Sequence, residues 1–322
     1  MTKEEASLLI KRKAQSLGFS ACGIAIAEAV DNDAVNEQEE WLSLGYAAGM
    51  DYMQKNKDLR YNPTLLQPGA KSLIVVAMNY YPKIQKDSDV TFAYYSYGKD
   101  YHFVLKHYLS HLFKYIKEEI HPLLCPDIEL EGRSFVDSAP LMERYWAKKA
   151  GVGFQGRNRL IIVPGVGSFC FLGILAVNID LATDSPISIS CGKCHRCENA
   201  CPTHAIKDGF VDSNKCISYQ TIENRTLEIP DNVSSVLGSR IYGCDACQQV
   251  CPWNKFAKPT VFEEFSASAD FLQLDSSIIE NMTGGEFKRM FKESAIARAG
   301  LKGLKRNLES VKKAFDSSKL DG

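Results

Sequence analysis

The residue pattern points to an α+β protein: a mixed-sheet core, a small cysteine-held module after it, and a short helical C-terminal segment. Three observations carry this expectation. Helical and strand patterns alternate with short turns over roughly the first 180 residues. Eight of the 11 cysteines fall between Cys191 and Cys251. From about Phe262 onward the pattern is helical and closes in lysine-rich turns. The implied divisions are 1–182, 183–260 and 261–322.

The elements follow in order. Thr2-x-x-Glu5 reads as a capping box, and Leu8, Leu9, Ala14 and Leu17 continue at helical spacing until Gly18. Glu28 to Glu40 reads as an acidic loop, and Trp41 to Asn56 as a short helix. The turn around Arg60 and Pro63 leads through Pro68-Gly69 to Ser72–Met78, a continuous apolar run expected to be a buried strand. A long amphipathic helix follows His102, its apolar face carrying Val104, Leu105, Tyr108, Leu109, Leu112, Phe113, Ile116 and Ile120. Ile128 to Val136 alternates as a strand does and ends at Asp137-Ser-Ala-Pro140, before a helix from Leu141 to Ala150. Leu160–Val163 and Phe169–Val177 read as two further strands.

Composition excludes several function classes. With 24% charged residues and a formal net charge of -1, no global field draws the chain to nucleic acid, so any basic surface must be local. Cys22, Cys125 and Cys170 alone lie outside the cysteine cluster, which argues against a disulfide framework and for a reducing interior. The N-terminus has no apolar signal core, and no apolar run is long enough to span a bilayer, so a cytoplasmic location is expected.

The cysteine spacing is the strongest signal. Cys191-x2-Cys194-x2-Cys197-x3-Cys201-Pro202 is answered by Cys244-x2-Cys247-x3-Cys251-Pro252, with Cys216 between. In this spacing three cysteines hold one 4Fe–4S cube and the fourth crosses to the other. Cluster one then takes Cys191, Cys194, Cys197 and Cys251. Cluster two takes Cys201, Cys244 and Cys247, with Cys216 as the candidate for its fourth ligand. Zinc on two CxxC pairs is the alternative, but zinc needs neither the third cysteine of the triplet nor a repeated Cys-Pro ending.

Other motifs carry two readings each. Gly151-x-Gly153-x-x-Gly156 matches the dinucleotide fingerprint in letters, yet a helix precedes it where a strand is required, so a tight turn near a ligand is expected instead. Asp137, at a strand end before Ser138 and Pro140, is either a helix N-cap or a proton donor at the mouth of a sheet. His102 reads as a packed, hydrogen-bonded histidine, and Asp100-x-His102 lacks the glycine of the DxHxxG pattern that supplies histidine to cobalamin. The segment 286–313 holds nine basic residues against three acidic ones. They are Lys288, Arg289, Lys292, Arg298, Lys302, Lys305, Arg306, Lys312 and Lys313. That excess suits a phosphate backbone as well as a solvated helix face. The residues alone thus describe a redox enzyme with two cubes and an unidentified terminal cofactor.

Taken together, Val136-Asp137-Ser-Ala-Pro140, Glu143-Arg144, the Gly151–Asn158 run, Phe171-Leu-Gly173, the two Cys-Pro clusters and Cys216-Ile-Ser-Tyr-x-Thr-Ile-Glu223 resemble the epoxyqueuosine reductase family. The family is similar to reductive dehalogenases. The resemblance implies a nitroreductase-like, cobalamin-binding core fed by two 4Fe–4S clusters. It further implies reduction of epoxyqueuosine to queuosine at the wobble position of a tRNA anticodon stem-loop, with an external donor such as flavodoxin or ferredoxin. Carried over by motif, Asp137 is the catalytic acid, and Arg60, Asp137, Ser218 and Asp245 lie near the cobalamin. Arg144, Asn224 and Arg225 are then candidates for tRNA contact. Burial beside a corrin is expected to raise the pKa of Asp137. Longer members carry a C-terminal helical-repeat extension that this chain lacks, which shifts weight onto residues 286–313. The competing readings are a reductive dehalogenase and a non-catalytic, ferredoxin-like electron carrier.

Overall fold

Ser72–Asn79 is buried along nearly its whole length because helices cover both of its faces. Side chains alternate across a strand. Ile74, Val76 and Met78 therefore pack on the Lys3–Ser16 and Tyr101–Tyr115 helices. Leu73, Val75 and Ala77 face Trp146 and Ala147 of the Glu143–Lys149 helix. In the computed structural model, which describes residues 1–320, this strand sits inside a four-stranded sheet. The order is Ala21–Ile26, Ser72–Asn79, Cys170–Val177, Gly132–Phe135, with every neighbour antiparallel. The α+β class is as expected. The central sheet of the expected mixed core is antiparallel throughout, and a parallel pairing joins Arg240–Tyr242 to Thr91–Phe92 outside it.

Several elements differ from the sequence expectation. Ala21–Ile26 is a strand that the pattern hides, because alanine and glycine are weak strand formers. Its small residues have a packing reason: a Cβ on Gly23 would lie 1.9 Å from the Ala150 carbonyl oxygen. Its outer edge is covered by Asp184, whose N–H donates to Ile24 O at 2.8 Å. The Asp184 carboxylate accepts from Ile24 N at 3.0 Å and from Lys11 Nζ at 2.7 Å. That arrangement blunts an edge that would otherwise template further pairing. In place of the loop expected at residues 28–40 and the helix expected at 41–56, the helix is Asn32–Ser43, and only the short helical turn Asp51–Met53 falls in the rest of that span. The strand expected at Ile128–Val136 contracts to Gly132–Phe135.

The long helix runs Tyr101–Tyr115 and continues through a π-helical turn, Ile116–Ile120. Val104, Leu105, Leu109, Leu112, Ile116 and Ile120 are buried as its pattern demands. A second core joins distant parts of the chain: Val90, Phe92 and Tyr97 pack with Ile217, Tyr242, Phe271 and Leu304. The helical C-terminal segment is therefore built onto the cysteine module. Among the described residues no helix is long and apolar enough to cross a membrane.

Gly23→Ala should destabilise the protein by about 1–3 kcal/mol, the range for overpacking a closed site. The urea unfolding midpoint reads this directly, and an unchanged midpoint would show that the strand and Ala150 can part without loss.

Candidate active site

Asp137 follows the Gly132–Phe135 strand by two residues and adopts a left-handed backbone, φ 55°. A non-glycine residue rarely sits there without support. Support comes from Glu143 at the start of the next helix, whose Oε1 accepts from Asp137 N at 2.6 Å. The Asp137 side chain, 57% exposed, reaches back to the start of the long helix. Tyr101 Oη donates to Asp137 Oδ2 at 2.7 Å, and His102 Nε2 lies 3.3 Å from the same oxygen.

That helix start is itself fixed. Asp100 is its N-cap, accepting from His102 N at 2.9 Å, and its Oδ1 also lies 2.6 Å from His102 Nδ1. One imidazole thus bridges two carboxylates. The Tyr101 ring stacks on Phe171 of the neighbouring strand, centroids 4.3 Å apart and planes 7° apart, and on His102 at 4.2 Å. The sheet, through Phe171, sets where the phenol points.

The electrostatics follow from this chain of contacts. Burial opposes charge on His102, but bonds to Asp100 and Asp137 outweigh it and raise the imidazole to about 9. Burial pushes the Asp137 carboxyl up, yet hydrogen bonds from His102 and Tyr101, with the charges of His102 and Arg298, hold it below its ordinary value. The upward shift expected from burial is therefore reversed by the protein's own donors. Glu143 goes the other way: burial and then the charge of Asp137 raise it to about 8.

Further charged and polar groups lie within electrostatic reach of Asp137 and Tyr52. Arg60 is only 7% exposed. Its Nη2 donates to Tyr52 O at 3.1 Å, while its Nε has no partner among the described residues. Tyr52 lies within electrostatic reach of Glu223, Arg298, Asp137 and Arg60. Arg298 holds Glu223 in a two-pronged pair, at 2.5 Å and 2.9 Å. Sequence reasoning misses this pair beside Asp137, because Arg298 sits in the basic segment and Glu223 in a helix end. It also places His102 only as a packed histidine and Tyr101 only as an aromatic at a helix start. The signal that could find them is Asp-Tyr-His at an N-cap, which gathers an acid, a phenol and an imidazole in one turn.

The cysteine module brings its two ends together. Burial raises the Cys251 thiol, and the neighbouring Cys191 and Cys194 add to it. Burial raises Cys197 too, with Cys191 nearby. Burial raises Cys216, with Cys201 beside it, and pushes Cys244 up to about 11, with Cys216 beside it. Cys247 is likewise raised by burial and then by Cys244 and Cys216. Thiols from the two cysteine runs thus lie within electrostatic reach of one another, although among the described residues no three ligating side chains are gathered tightly enough to hold a metal ion. Burial opposes their charged form, which a thiolate-binding metal would offset. All eleven cysteines are free of disulfides. The Gly151–Gly156 run is a turn and hairpin, Phe154–Gln155 pairing with Ile161–Ile162, and Phe154 meets Trp253 edge-on at 5.1 Å. The helix Glu143–Lys149 precedes it, where the fingerprint would require a strand.

The remaining candidate residues divide. Ser218 is half-buried two residues past Cys216. Asp245 is buried, accepting from Tyr94 N at 2.7 Å and Gln248 Nε2 at 3.2 Å. Arg144 and Arg225 are exposed. Asn224 is buried, its side chain bonded to Gln220 at 2.6 Å and to Thr226 N at 2.9 Å, so it caps a turn. The basic segment is also partly committed. Arg298 pairs with Glu223, Lys312 with Glu280 and Lys313 with Glu309. Arg306 donates to the carbonyls of Gln220, Asn224 and Thr226. Lys288, Arg289 and Lys302 remain on the surface, with Lys305 half-exposed.

Comparisons with known proteins agree with this layout. A family model for a 4Fe-4S double cluster binding domain matches residues 190–254, and one for epoxyqueuosine reductase QueG matches residues 60–138. The chain is 43% identical over 316 residues to the epoxyqueuosine reductase of Cyclobacterium marinum, covering 97% of this chain and 98% of that one. The crystal structure of an epoxyqueuosine reductase with an epoxyqueuosine-modified tRNA-Tyr stem loop superposes with a TM-score of 0.87 at 29% identity. That match covers 99% of this chain and 84% of that one. The epoxyqueuosine reductase of Bacillus subtilis, with its catalytic loop swung out of the active site, gives 0.88 at 28% identity, with the same coverage.

Because Asp100 and Asp137 both favour the imidazolium, the His102 resonance should titrate near 9. Its folded value is raised, so the stability this proton contributes is complete below the ordinary histidine value of about 6.5 and is lost as pH rises through the folded value. Asp137→Asn should move the titration, followed by NMR, back down. An unmoved titration would dissolve the link between the two side chains.

Proposed function

Belonging to the epoxyqueuosine reductase family, this chain reduces epoxyqueuosine in tRNA to queuosine, and we propose that Asp137 is the acid of that reaction. The observation that carries the proposal is the Asp137 carboxylate itself, held in a left-handed turn and bonded by Tyr101 and His102 while still open to solvent. Removing the epoxide oxygen consumes two electrons and two protons and releases the alkene and water. When bound, cobalamin supplies the electron pair to the epoxide carbon, fed through the two clusters. The protein's own groups do the rest.

His102, charged at neutral pH, keeps a proton at Nε2 beside Asp137 Oδ2. That proton passes through Asp137 to the epoxide oxygen as the carbon–oxygen bond opens. Asp100 keeps the imidazole oriented, and Glu143 keeps the Asp137 backbone in its turn. The second proton reaches the departing hydroxyl from solvent through the exposed carboxylate.

Arg60 fits a cobalamin-holding role: it is buried and its Nε lacks a partner among the described residues, which suits an amide or phosphate acceptor of the cofactor. Ser218 and Asp245 would line the path between clusters and cobalamin. Cys191, Cys194, Cys197 and Cys251 would hold the first cluster, and Cys201, Cys216, Cys244 and Cys247 the second. Arg144 and Arg225, with Lys288, Arg289, Lys302 and Lys305, are the cations available to hold tRNA phosphates while the modified base enters the cleft. A tRNA substrate and an external donor such as flavodoxin or ferredoxin suit a cytoplasmic enzyme.

Asp137→Asn should lower turnover of epoxyqueuosine-containing tRNA by about 10²–10⁴-fold while cobalamin absorbance and iron content stay at wild-type levels; full activity would remove Asp137 from the acid role. Cys216→Ala should halve the iron retained per chain, and an unchanged iron content would assign the fourth ligand elsewhere.

A further inference from the structure

Around the first set of cysteines the surface is built differently from the rest. Cys191 and Cys194 are half-exposed on a loop whose neighbours Lys193, His195 and Arg196 are exposed. Cys251, which lies beside Cys191 and Cys194, is followed by a tight turn in which Lys255 N donates to Pro252 O at 3.2 Å. That turn presents Phe256, 77% exposed, with Lys255 Nζ 5.4 Å from its ring centroid. Ile189, just before Cys191, is 42% exposed. Two segments about sixty residues apart in sequence are thus brought side by side at Cys191, Cys194 and Cys251, and each carries an exposed apolar side chain close by in sequence.

The unpaired charge of this surface is positive. Lys193, Arg196, Lys255 and Lys258 are exposed and carry no ion pair among the described residues. The acidic side chain of the loop, Glu198, is taken up by His195 and lies 3.7 Å from Arg157. Arg157 in turn reaches over the loop, its Nη2 donating to Gly192 O at 3.1 Å. A depression beside Cys191 is lined by Lys148, Arg157 and Arg159 and by Glu37, which pairs with Arg159 at 2.5 Å. On a chain with a formal net charge of -1, these cations around two exposed apolar side chains are a local feature with a use.

We propose that this patch is the docking surface for a small acidic one-electron carrier protein, which meets the chain over Cys191, Cys194 and Cys251. The inference rests on the reading above, in which these cysteines hold the first cluster and electrons come from a partner. Electron-transfer encounters are small and brief, steered by opposite charge and centred on a few apolar contacts. A reduced carrier gives up one electron per encounter and leaves oxidised. Two encounters supply the pair that one epoxide consumes, and no proton moves at this surface. Phosphate backbone also seeks cations, but the exposed Phe256 and Ile189 offer nothing to phosphates.

The test uses the anaerobically purified protein with both clusters, and flavodoxin as the acidic probe. Oxidised flavodoxin is titrated calorimetrically into wild type, a Lys255→Glu/Lys258→Glu variant and Phe256→Ala, at low and high salt. Wild-type affinity should fall with salt, and the charge reversal should weaken it about 10-fold or more at low salt. Phe256→Ala should weaken it with the salt dependence kept. Iron content, bleaching of the clusters by dithionite, and affinity for an anticodon stem-loop should stay at wild-type values in both variants. Unchanged flavodoxin affinity in both variants overturns the proposal, as does a loss confined to stem-loop affinity, which would make the patch an RNA surface. Dithionite-driven conversion of epoxyqueuosine by wild type is measured alongside. Its absence would count against the family reaction while leaving the docking result to stand by itself.

Discussion

One imidazole between two carboxylates governs this site. Asp100 and Asp137 favour the charged imidazole of His102 against burial, and Asp137 is bonded in place by Tyr101 and Glu143. The turn that carries Asp137 is one that an ordinary residue leaves unless held. Three elements hold it: the strand before it, the helix after it, and the N-terminus of the long helix. Because Tyr101 is stacked on Phe171, the sheet itself is part of that grip. A carboxylate that is both exposed and fixed is made here by surrounding it with groups that are themselves buried or capped.

The C-terminal helix contributes through position more than through charge. Arg306 spends its guanidinium on three backbone carbonyls of the segment after Cys216, and Asn307, fully buried, donates to Thr221 O and Ile241 O at 2.8 Å each. These bonds strap the helix across the cysteine module. The same segment delivers Arg298 to Glu223 and so brings a cation within reach of Asp137. The cysteine module, the tail and the surroundings of Asp137 are therefore mechanically one assembly, although the chain lays them out in sequence.

Much of this architecture is legible in local residue patterns. The capping box at Thr2 and Glu5, the doubly covered strand at Ser72, the amphipathic face from Val104 to Ile120 and the two Cys-Pro runs have physics that does not depend on distant partners. Ala21–Ile26 is hidden because its residues answer to Ala150 and Asp184, which lie more than a hundred positions away. Asn224 reads as a surface residue because nothing in its neighbourhood of the sequence shows that it caps a turn beneath Arg306.

Residue identity and spacing settle the chemistry on offer: thiols at cluster spacing, an acid at a strand end, an isolated arginine before a buried strand. Short-range forces preserve those features wherever the chain goes. Which groups act together is settled by folding. It sets the direction of the Asp137 shift, because hydrogen bonds from Tyr101 and His102 outweigh burial. It divides the basic residues of the tail between internal carbonyls, carboxylates and the surface. Charge is a property of one side chain, whereas its availability depends on every group the fold places within a few ångströms.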